Sequence, residues 1–423
     1  MSSKTKVSKI NYRDAIEESS SFSWNFDHKG HRFDCRLLSC EHVSDAGGSE
    51  GLNMSSIVHS ENGPKIPWHM LAAFCRVLPE NIRQYSLRIY RKDSLIATSS
   101  FQRYQFKLSS FVNTQQSKSF PGRLFKKMLV GGVNFLDGDI WLIGNLVVSG
   151  AYFWESDHSI WSEHSDELEF QQRVLESLKE NWTGVEPPIA LGIIQRGSVE
   201  DQIDGGSSDW KYFPVEPLMR LDISSKWGSF DDYYSSLRSR YRKKVRRVLR
   251  ASSSIQVEEL KLKDIERHGE QTWSFLQDLL DEIPYISVQP KPNTLAILKR
   301  ELGQDYHVLG FFMEEKLVGF LSATQLNGTT EGHLIGYDRQ VNEEFSLYKF
   351  MLTALVARAI SAGSKRLYFG RTASISKINL GALPEPSGTW FHLTNPFARK
   401  MMPLVYNLLY KQDQSEERNV FKD

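Results

Sequence analysis

A chain of 423 residues is too long for one simple hydrophobic core, so we expect two domains. Its formal net charge of +1 gives no global field that would point to nucleic acid or a membrane as the partner. The hydrophobic share of 40% and the charged share of 24% are ordinary for a globular protein.

The cysteines and the termini bear on the cellular compartment. Cys35, Cys40 and Cys75 are too few for a disulfide framework and show no metal-ligand spacing. The first six residues are polar and lack the apolar core of a signal peptide. No run approaches the roughly 20 apolar residues of a membrane span. We therefore expect a cytoplasmic protein without a transmembrane segment and without a metal.

The first half of the chain begins with a stretch rich in serine and charge, residues 1–30, which we expect to be a flexible arm. Two alternating runs, 85–90 and 95–101, flank a polar turn at Lys92 and Asp93 and predict a β-hairpin. The first half then reads as hairpin, strand, helix and strand, with the last three expected at 139–145, 168–182 and 188–194.

The highest charge density lies in residues 238–250, where eight of thirteen residues are basic. Ser229 predicts the N-cap of one long helix running through this stretch. Two interpretations stay open: a solvated face that balances acids elsewhere, or an anion site for a phosphate-bearing substrate. For the second, the side chains beside the apolar stripe are Arg240, Lys243, Lys244 and Arg247.

The second half carries the clearest pattern of regular structure. Three apolar runs, 307–313, 317–324 and 331–337, predict an antiparallel meander. Asn327-Gly328, between the second and third runs, suits a tight turn because both residues tolerate positive φ. A helix with apolar residues at spacings of three and four follows over 347–359, and then a strand over 366–370.

This order of meander, helix and strand resembles the C-terminal half of a GNAT-type acyltransferase core. Gly370 at the strand end, with Lys377 several residues later, is similar to the Fem-like and CelD-like N-acyltransferases. The resemblance implies an α/β (α+β) fold of tandem GNAT-like domains, each a mixed, mostly antiparallel sheet flanked by helices. The expected boundaries are 31–225 and 253–411 for the two domains, 226–252 for a basic connecting helix and 412–423 for a charged tail.

The strand over 331–337 carries the expected catalytic residues. Strict alternation would place Glu331, His333 and Tyr337 on one face. Acyl transfer to an amine, which the resemblance implies, needs a base to take the proton of the amine, and Glu331 or His333 is expected in that role. Tyr337 belongs to a Gly-Tyr-Asp sequence that is similar to the family pattern at this strand end. The alternative is that these side chains simply face solvent.

Residues 340–346 stand where GNAT proteins have the loop that binds the pyrophosphate of coenzyme A. The glycines of that loop are absent here, and Glu343 and Glu344 are present instead. Acyl-CoA therefore stays one candidate for the acyl donor, and aminoacyl-tRNA is another. Ser346 is expected to cap the following helix, whose start could still hold an anion.

A third group of site residues is Gly370, Arg371, Ser374 and Lys377. Gly370 permits close approach of the backbone at a strand end. Arg371 and Lys377 add two cations around a polar loop. The resemblance implies a substrate contact by Lys377, and the alternative is that the group only caps the loop.

These observations predict an N-acyltransferase that moves an acyl group from a thioester or ester to an amine acceptor. The partner expected is a small-molecule or phosphate-bearing substrate, with tRNA as a further partner. Two alternatives stay open: a Fem-type aminoacyl-tRNA-dependent ligase acting on a cell-wall or peptide precursor, and an inactive GNAT-like binding protein. The sequence leaves the oligomeric state open.

Overall fold

A computed structural model describes one large sheet with helices packed against it. The described residues are 21–39, 68–106, 137–146, 151–156, 164–182, 186–196, 209–281, 290–409 and 418–422. Their strands are β1 (Ser21–His28), β2 (His31–Ser39), β3 (Ile82–Arg91), β4 (Ser94–Phe106), β5 (Gly138–Leu146), β6 (Ala151–Ser156), β7 (Ala190–Arg196), β8 (Trp210–Asp222), β9 (Gln256–Glu259), β10 (Tyr306–Met313), β11 (Lys316–Leu326), β12 (Thr329–Tyr337), β13 (Arg366–Tyr368) and β14 (Leu383–Leu393). Their helices are α1 (Trp68–Cys75), α2 (His164–Asn181), α3 (Phe230–Ser236), α4 (Ser239–Ala251), α5 (Leu262–Arg267), α6 (Gly269–Leu280), α7 (Thr294–Leu302), α8 (Arg339–Phe345), α9 (Leu347–Ser361), α10 (Ser374–Ile378) and α11 (Pro396–Leu409).

The sheet is mixed and mostly antiparallel, as the sequence predicts. Its strand order is β1-β2-β3-β4-β6-β5-β7-β14-β8-β13-β12-β11-β10-β9, and β4 also pairs with β5. Among the described pairings, β5 with β7 and β12 with β13 are parallel. Each parallel pair is connected through a helix, as a parallel crossover requires.

The connections repeat between the two halves, which confirms the tandem GNAT-like fold. In each half a hairpin is followed by an antiparallel strand, a helical segment and a parallel strand: β3, β4, β5, α2 and β7, then β10, β11, β12, α8, α9 and β13. The hairpin turns also match. Lys92 and Asp93 have φ of 48° and 63°, and Glu314 and Glu315 have φ of 50° and 65°. Both turns therefore use the two positive φ angles that fit the twist of a hairpin.

The last strand of each half is exchanged with the other half. β8 follows β7 along the chain but pairs with β13 and β14. β14 follows β13 along the chain but lies between β7 and β8. The sheet therefore continues across the predicted domain boundaries, and those boundaries stay a prediction.

Alternating side chains of the second-half strands enter two apolar layers on opposite faces of the sheet. On one face, Phe311 packs in a cluster that includes Leu355 of α9 and side chains of α3 and α4. We call this the α9 face. On the other face, Val308 and Phe320 pack in a cluster that includes Leu298 of α7 and side chains of α1 and α6. We call this the α7 face.

The predicted flexible arm and the predicted charged tail are both partly built into the fold. Residues 21–28 form β1, because Trp24 and Phe26 alternate with exposed polar residues and are buried against the first-half core. Residues 418–422 lie against the fold, and Val420 is 2% exposed. Serine and charge content therefore did not show which residues near the two ends pack against the fold. Residues 1–20, 412–417 and 423 lie outside the described residues.

The predicted long helix after Ser229 is two helices. Ser229 is the N-cap of α3, since its hydroxyl accepts from the Asp232 amide, as expected. The helix ends at Leu237, which has an extended backbone, and α4 begins after Arg238. The break follows from a tertiary contact, because the Arg238 amide donates to the Val420 carbonyl at 2.9 Å.

Candidate functional site

A β-bulge in β12 changes the predicted alternation of the catalytic candidates. Leu321 pairs with Ile335 and Ala323 pairs with Gly332, so His333 and Leu334 both stand opposite Ser322. The prediction that Glu331, His333 and Tyr337 share one face is therefore wrong. The bulge depends on pairing with another strand, so the sequence of β12 alone does not reveal it.

The bulge divides the three candidates between the two faces. A Cβ on Gly332 would meet Leu355 of α9, so the neighbouring side chains Glu331 and His333 point to the α7 face. Tyr337 packs with the cluster of the α9 face and lies 5.8 Å from the ring of Tyr348. Glu331 and His333 thus stay together, and Tyr337 is separated from them.

His333 belongs to a hydrogen-bond network with Tyr306 and Ser322. The Ser322 hydroxyl accepts from the Leu334 amide at 2.9 Å and donates to the Leu334 carbonyl at 3.3 Å. The Tyr306 hydroxyl donates to Ser322 at 2.9 Å, and His333 Nδ1 lies 2.8 Å from the same Tyr306 oxygen. This pattern assigns the proton of a neutral His333 to Nδ1 and its lone pair to Nε2. Such a tautomer is the one that a proton-accepting Nε2 needs.

A cavity of about 290 Å³ opens between α4, α9 and α10 on the α9 face. It brings Lys244 and Arg247 of the basic helix together with Ser346, three residues that the sequence assigned to phosphate binding. The remaining polar lining is Lys349, Thr353, Ser376 and Asn379, and the apolar lining is Val245, Val248, Leu352 and Leu380.

The electrostatic environment of the cavity is positive. Among the described residues, its lining includes three cations and no carboxylate. Lys244 donates to the Asn379 side-chain oxygen at 2.8 Å. Partial burial lowers the pKa of Lys244, and the nearby cations Arg418, Arg240 and Lys349 lower it further. An anion in this cavity would relieve that repulsion.

The other two predicted residues of the basic helix point elsewhere. Arg240 folds onto Tyr241, with its guanidinium carbon 4.5 Å from the ring centroid. Lys243 borders a separate, open concavity of about 600 Å³ on the outer side of α4, together with Arg246, Arg247 and Arg250. The helix therefore has an inner side that lines the cavity and an outer basic side.

The segment in the place of the pyrophosphate loop is helical. Asp338 caps α8, since its carboxylate accepts from the Gln340 amide at 2.9 Å and the Val341 amide at 3.2 Å. Ser346 has φ of 56° and stands before α9, but its side chain makes no capping bond. The Asn342 side chain accepts from the Tyr348 amide at 2.8 Å instead. Ser346 therefore stands at the N-cap position of α9, as expected, but without a side-chain capping bond, and it lines the cavity.

Gly370, Arg371, Ser374 and Lys377 belong to the segment from the end of β13 through α10, in which Ser374 and Lys377 are buried and the other two are half-buried. Lys377 is 2% exposed, and its ammonium donates to the carbonyl of Gly370 at 3.3 Å and to that of Arg371. Arg371 donates to the Ser387 hydroxyl at 2.6 Å and to the Glu216 carbonyl. Ser374 is buried at the start of α10. These contacts give Lys377 a loop-holding role, while its predicted substrate contact stays a prediction.

Four polar cavity residues were missed in the sequence: Lys349, Thr353, Ser376 and Asn379. Lys349 lies one helical turn after Ser346, and Asn379 lies one turn after Ser376, so helical spacing was the available signal. That spacing identifies cavity residues only when it is known that α10 faces α4, and the sequence does not show this.

The pairing between β12 and β13 ends before β12 does. β13 pairs with β12 only from Thr329 to Glu331, whereas β12 continues to Tyr337. Gly332 is the first residue of β12 beyond this pairing, and it stands between Glu331 and His333. The cavity lies on the α9 face, whereas Glu331 and His333 point to the α7 face.

No protein-family model and no curated protein matches the sequence. The solved structures similar to this chain include FemX, with 11% identity, a TM-score of 0.44 and coverage of 78% of this chain and 90% of that one. A tandem GNAT protein from the clavulanic acid biosynthesis pathway has 8% identity, a TM-score of 0.43 and coverage of 79% and 91%. L-PGS from Bacillus licheniformis has 11% identity, a TM-score of 0.44 and coverage of 83% and 95%. These structural similarities do not indicate an activity, and the assignment of a GNAT-like fold rests on the order and direction of the strands.

The described residues lack both a metal-binding group and a helix that could span a membrane. No three His, Cys, Asp or Glu side chains in this part of the chain are grouped so that they could hold a metal ion. None of the described helices combines the length and the apolar character that crossing a membrane requires.

Proposed function

We propose that the protein is an N-acyltransferase whose donor carries phosphate groups, and that the cavity between α4, α9 and α10 binds those phosphates. The observation that carries this proposal is the lining of the cavity, in which the residues that the structure describes supply Lys244, Arg247 and Lys349 together with hydroxyl groups and no carboxylate. Charge-assisted hydrogen bonds from such groups are the strong contacts of phosphate sites. The volume of about 290 Å³ suits a diphosphate together with a short apolar segment.

In this proposal the reaction takes place beside Gly332, where the pairing of β12 with β13 ends. The donor carbonyl lies there, and the amine approaches from the α7 face. The amine nitrogen attacks the carbonyl carbon, the new C–N bond forms, and the C–S or C–O bond of the donor breaks. The proton of the amine passes to His333 Nε2, or to Glu331, directly or through water. The leaving group departs on the α9 face with the phosphates.

Pyrophosphate is the direct probe of the cavity. We expect calorimetric titration to show binding to the wild-type protein and at least tenfold weaker binding to the double variant Lys244→Met/Arg247→Gln, because each charged hydrogen bond is worth about 1.5–3 kcal/mol. Arg300→Gln is the matched control, since Arg300 is an exposed arginine of α7 that pairs with Glu266. Its affinity should equal that of the wild-type protein.

Acyl transfer is tested separately with acetyl-CoA and a panel of primary amines, by following free thiol release. His333→Gln and Glu331→Gln should lower turnover while leaving pyrophosphate affinity unchanged, because both side chains point to the α7 face. A wild-type protein that binds no pyrophosphate, or a double variant that binds it normally, overturns the phosphate site.

A second candidate function is transfer from aminoacyl-tRNA. The observation that favours it is the outer side of α4, where Lys243, Arg246, Arg247 and Arg250 border the open concavity. Binding of tRNA through this surface should weaken steeply between low and moderate salt, because phosphate contacts release counterions. Lys243→Glu/Arg250→Glu should reduce both the affinity and the salt slope while leaving pyrophosphate binding intact. Salt-independent binding, or none, excludes this candidate.

A further inference from the structure

The C-terminal segment, residues 418–422, is fastened at the junction between α3 and α4. The Arg238 amide donates to the Val420 carbonyl at 2.9 Å, and the Lys422 amide donates to the Ser236 carbonyl at 2.9 Å. Arg238 Nε donates to the Phe421 carbonyl at 2.7 Å. These bonds fix the segment to the residues at which the basic helix begins.

The ring of Phe421 fills a space beneath the turn that follows α10. It lies 5.1 Å from the ring of Trp227 and touches Gly381, where an added Cβ would collide with the ring. Gly381 has φ of +92°, which also favours glycine. The Tyr233 hydroxyl donates to the neighbouring Leu380 carbonyl at 2.8 Å. The ring therefore packs closely between α3 and this turn.

The turn and the basic helix are two walls of the cavity. Asn379 and Leu380 line it from the turn, and Lys244 and Arg247 line it from α4. The hydrogen bond of 2.8 Å between Lys244 and Asn379 joins the walls. Phe421 lies behind both of them, since its backbone is bonded to the start of α4 and its ring supports the turn.

We infer that Phe421 is a positioning residue for the phosphate cavity, which it keeps in its binding geometry by holding the turn after α10 at a fixed distance from α4. This inference rests on the proposed function of the cavity. Without the ring, the turn can move into the vacated space, and the contact between Asn379 and Lys244 lengthens. The ammonium of Lys244 then loses the partner that directs it toward the cavity.

The same segment also adds charge near the cavity. Arg418 is among the cations that lower the pKa of Lys244, so it contributes to the positive field there. Arg418 is exposed and can be changed without disturbing the packed ring. Arg418→Gln therefore separates the effect of charge from the effect of position.

The test measures pyrophosphate affinity by calorimetry at a temperature at which every variant is folded. Phe421→Ala should bind about tenfold more weakly, which corresponds to the misplacement of one charged hydrogen bond. Phe421→Leu keeps most of the volume and should recover most of the affinity. Arg418→Gln should weaken binding less than Phe421→Ala does.

Leu298→Ala is the control for lost stability alone. Leu298 is fully buried in the cluster of the α7 face, away from the cavity, so its truncation lowers the melting temperature through a core cavity. Its pyrophosphate affinity should stay at the wild-type value. If Phe421→Ala does not fold, Phe421→Val is compared with Leu298→Ala in the same way.

The outcomes distinguish this inference from the proposed function. If the wild-type protein binds no pyrophosphate, the phosphate cavity itself is refuted. If the wild-type protein binds and the Phe421 variants bind equally well, the positioning role is overturned and the cavity stands. An equal loss in Leu298→Ala also overturns it, because the effect then follows from general destabilisation.

Discussion

Replacing Lys377 by methionine should change how stability depends on pH. In the folded protein, burial lowers the pKa of Lys377 from its ordinary 10.5 to about 8. In the unfolded chain the amine lies in water and keeps its ordinary pKa. Between these two values the unfolded chain binds more protons than the folded one, so the free energy of unfolding rises with pH. The whole difference corresponds to about 3 kcal/mol.

Urea unfolding at several pH values between about 7.5 and about 9.5 measures this effect. Relative to Lys377→Met, the wild-type protein should gain about 2 kcal/mol of unfolding free energy over that interval, since one pH unit is worth about 1.4 kcal/mol. Lys226→Met, at an exposed lysine, should follow the wild-type curve. Parallel curves for the wild-type protein and Lys377→Met would refute the argument that burial lowers the pKa of Lys377.

Further predictions concern charge, pH and packing. Lys244→Glu should weaken pyrophosphate binding at least tenfold in calorimetry, whereas Lys243→Glu should change it little, because only Lys244 lines the cavity. Burial lowers the pKa of His307, so the wild-type protein should lose stability as pH falls below the ordinary 6.5, and His307→Gln should lose less of it in melting curves. Gly336→Ala should cost about 1–3 kcal/mol in urea unfolding, because its Cβ would lie 2.5 Å from a ring carbon of Phe320. Equal pyrophosphate affinities of the two lysine variants would contradict the first prediction. An identical loss of stability at low pH in the wild-type protein and His307→Gln would contradict the second, and an unchanged unfolding free energy of Gly336→Ala would contradict the third.

Local signals predicted the repeated part of the fold well. The turn at Asn327-Gly328 has φ of 48° and 72°, and it joins β11 to β12 where the apolar runs placed the turn. The helix over 347–359 was equally clear, and it is α9. In these cases the residues that determine the structure are neighbours in sequence, so composition and spacing are sufficient.

The features that the sequence did not predict depend on distant partners. The break at Leu237 is held by residues 420–422, and the bulge at His333 and Leu334 is held by Ser322. Residues 339–345 are the exception, because the residue that caps their helix, Asp338, is a sequence neighbour. The resemblance to the GNAT family led to the prediction of a loop there. The basic helix itself was predicted, but the rotation that separates Lys243 from Lys244 depends on its packing.

The exchange of β8 and β14 has a consequence for how the chain is made and folded. Synthesis runs from the N-terminus, so β7 is complete long before β14, the strand that covers its edge. Until then one edge of β7 presents unpaired backbone groups, which is a template for wrong pairing. Ala190 has to find Leu393 across most of the second half, and such distant pairing is slow. A nascent chain stopped before β14 should therefore aggregate more readily than the finished protein, and neither half is a self-contained unit for expression.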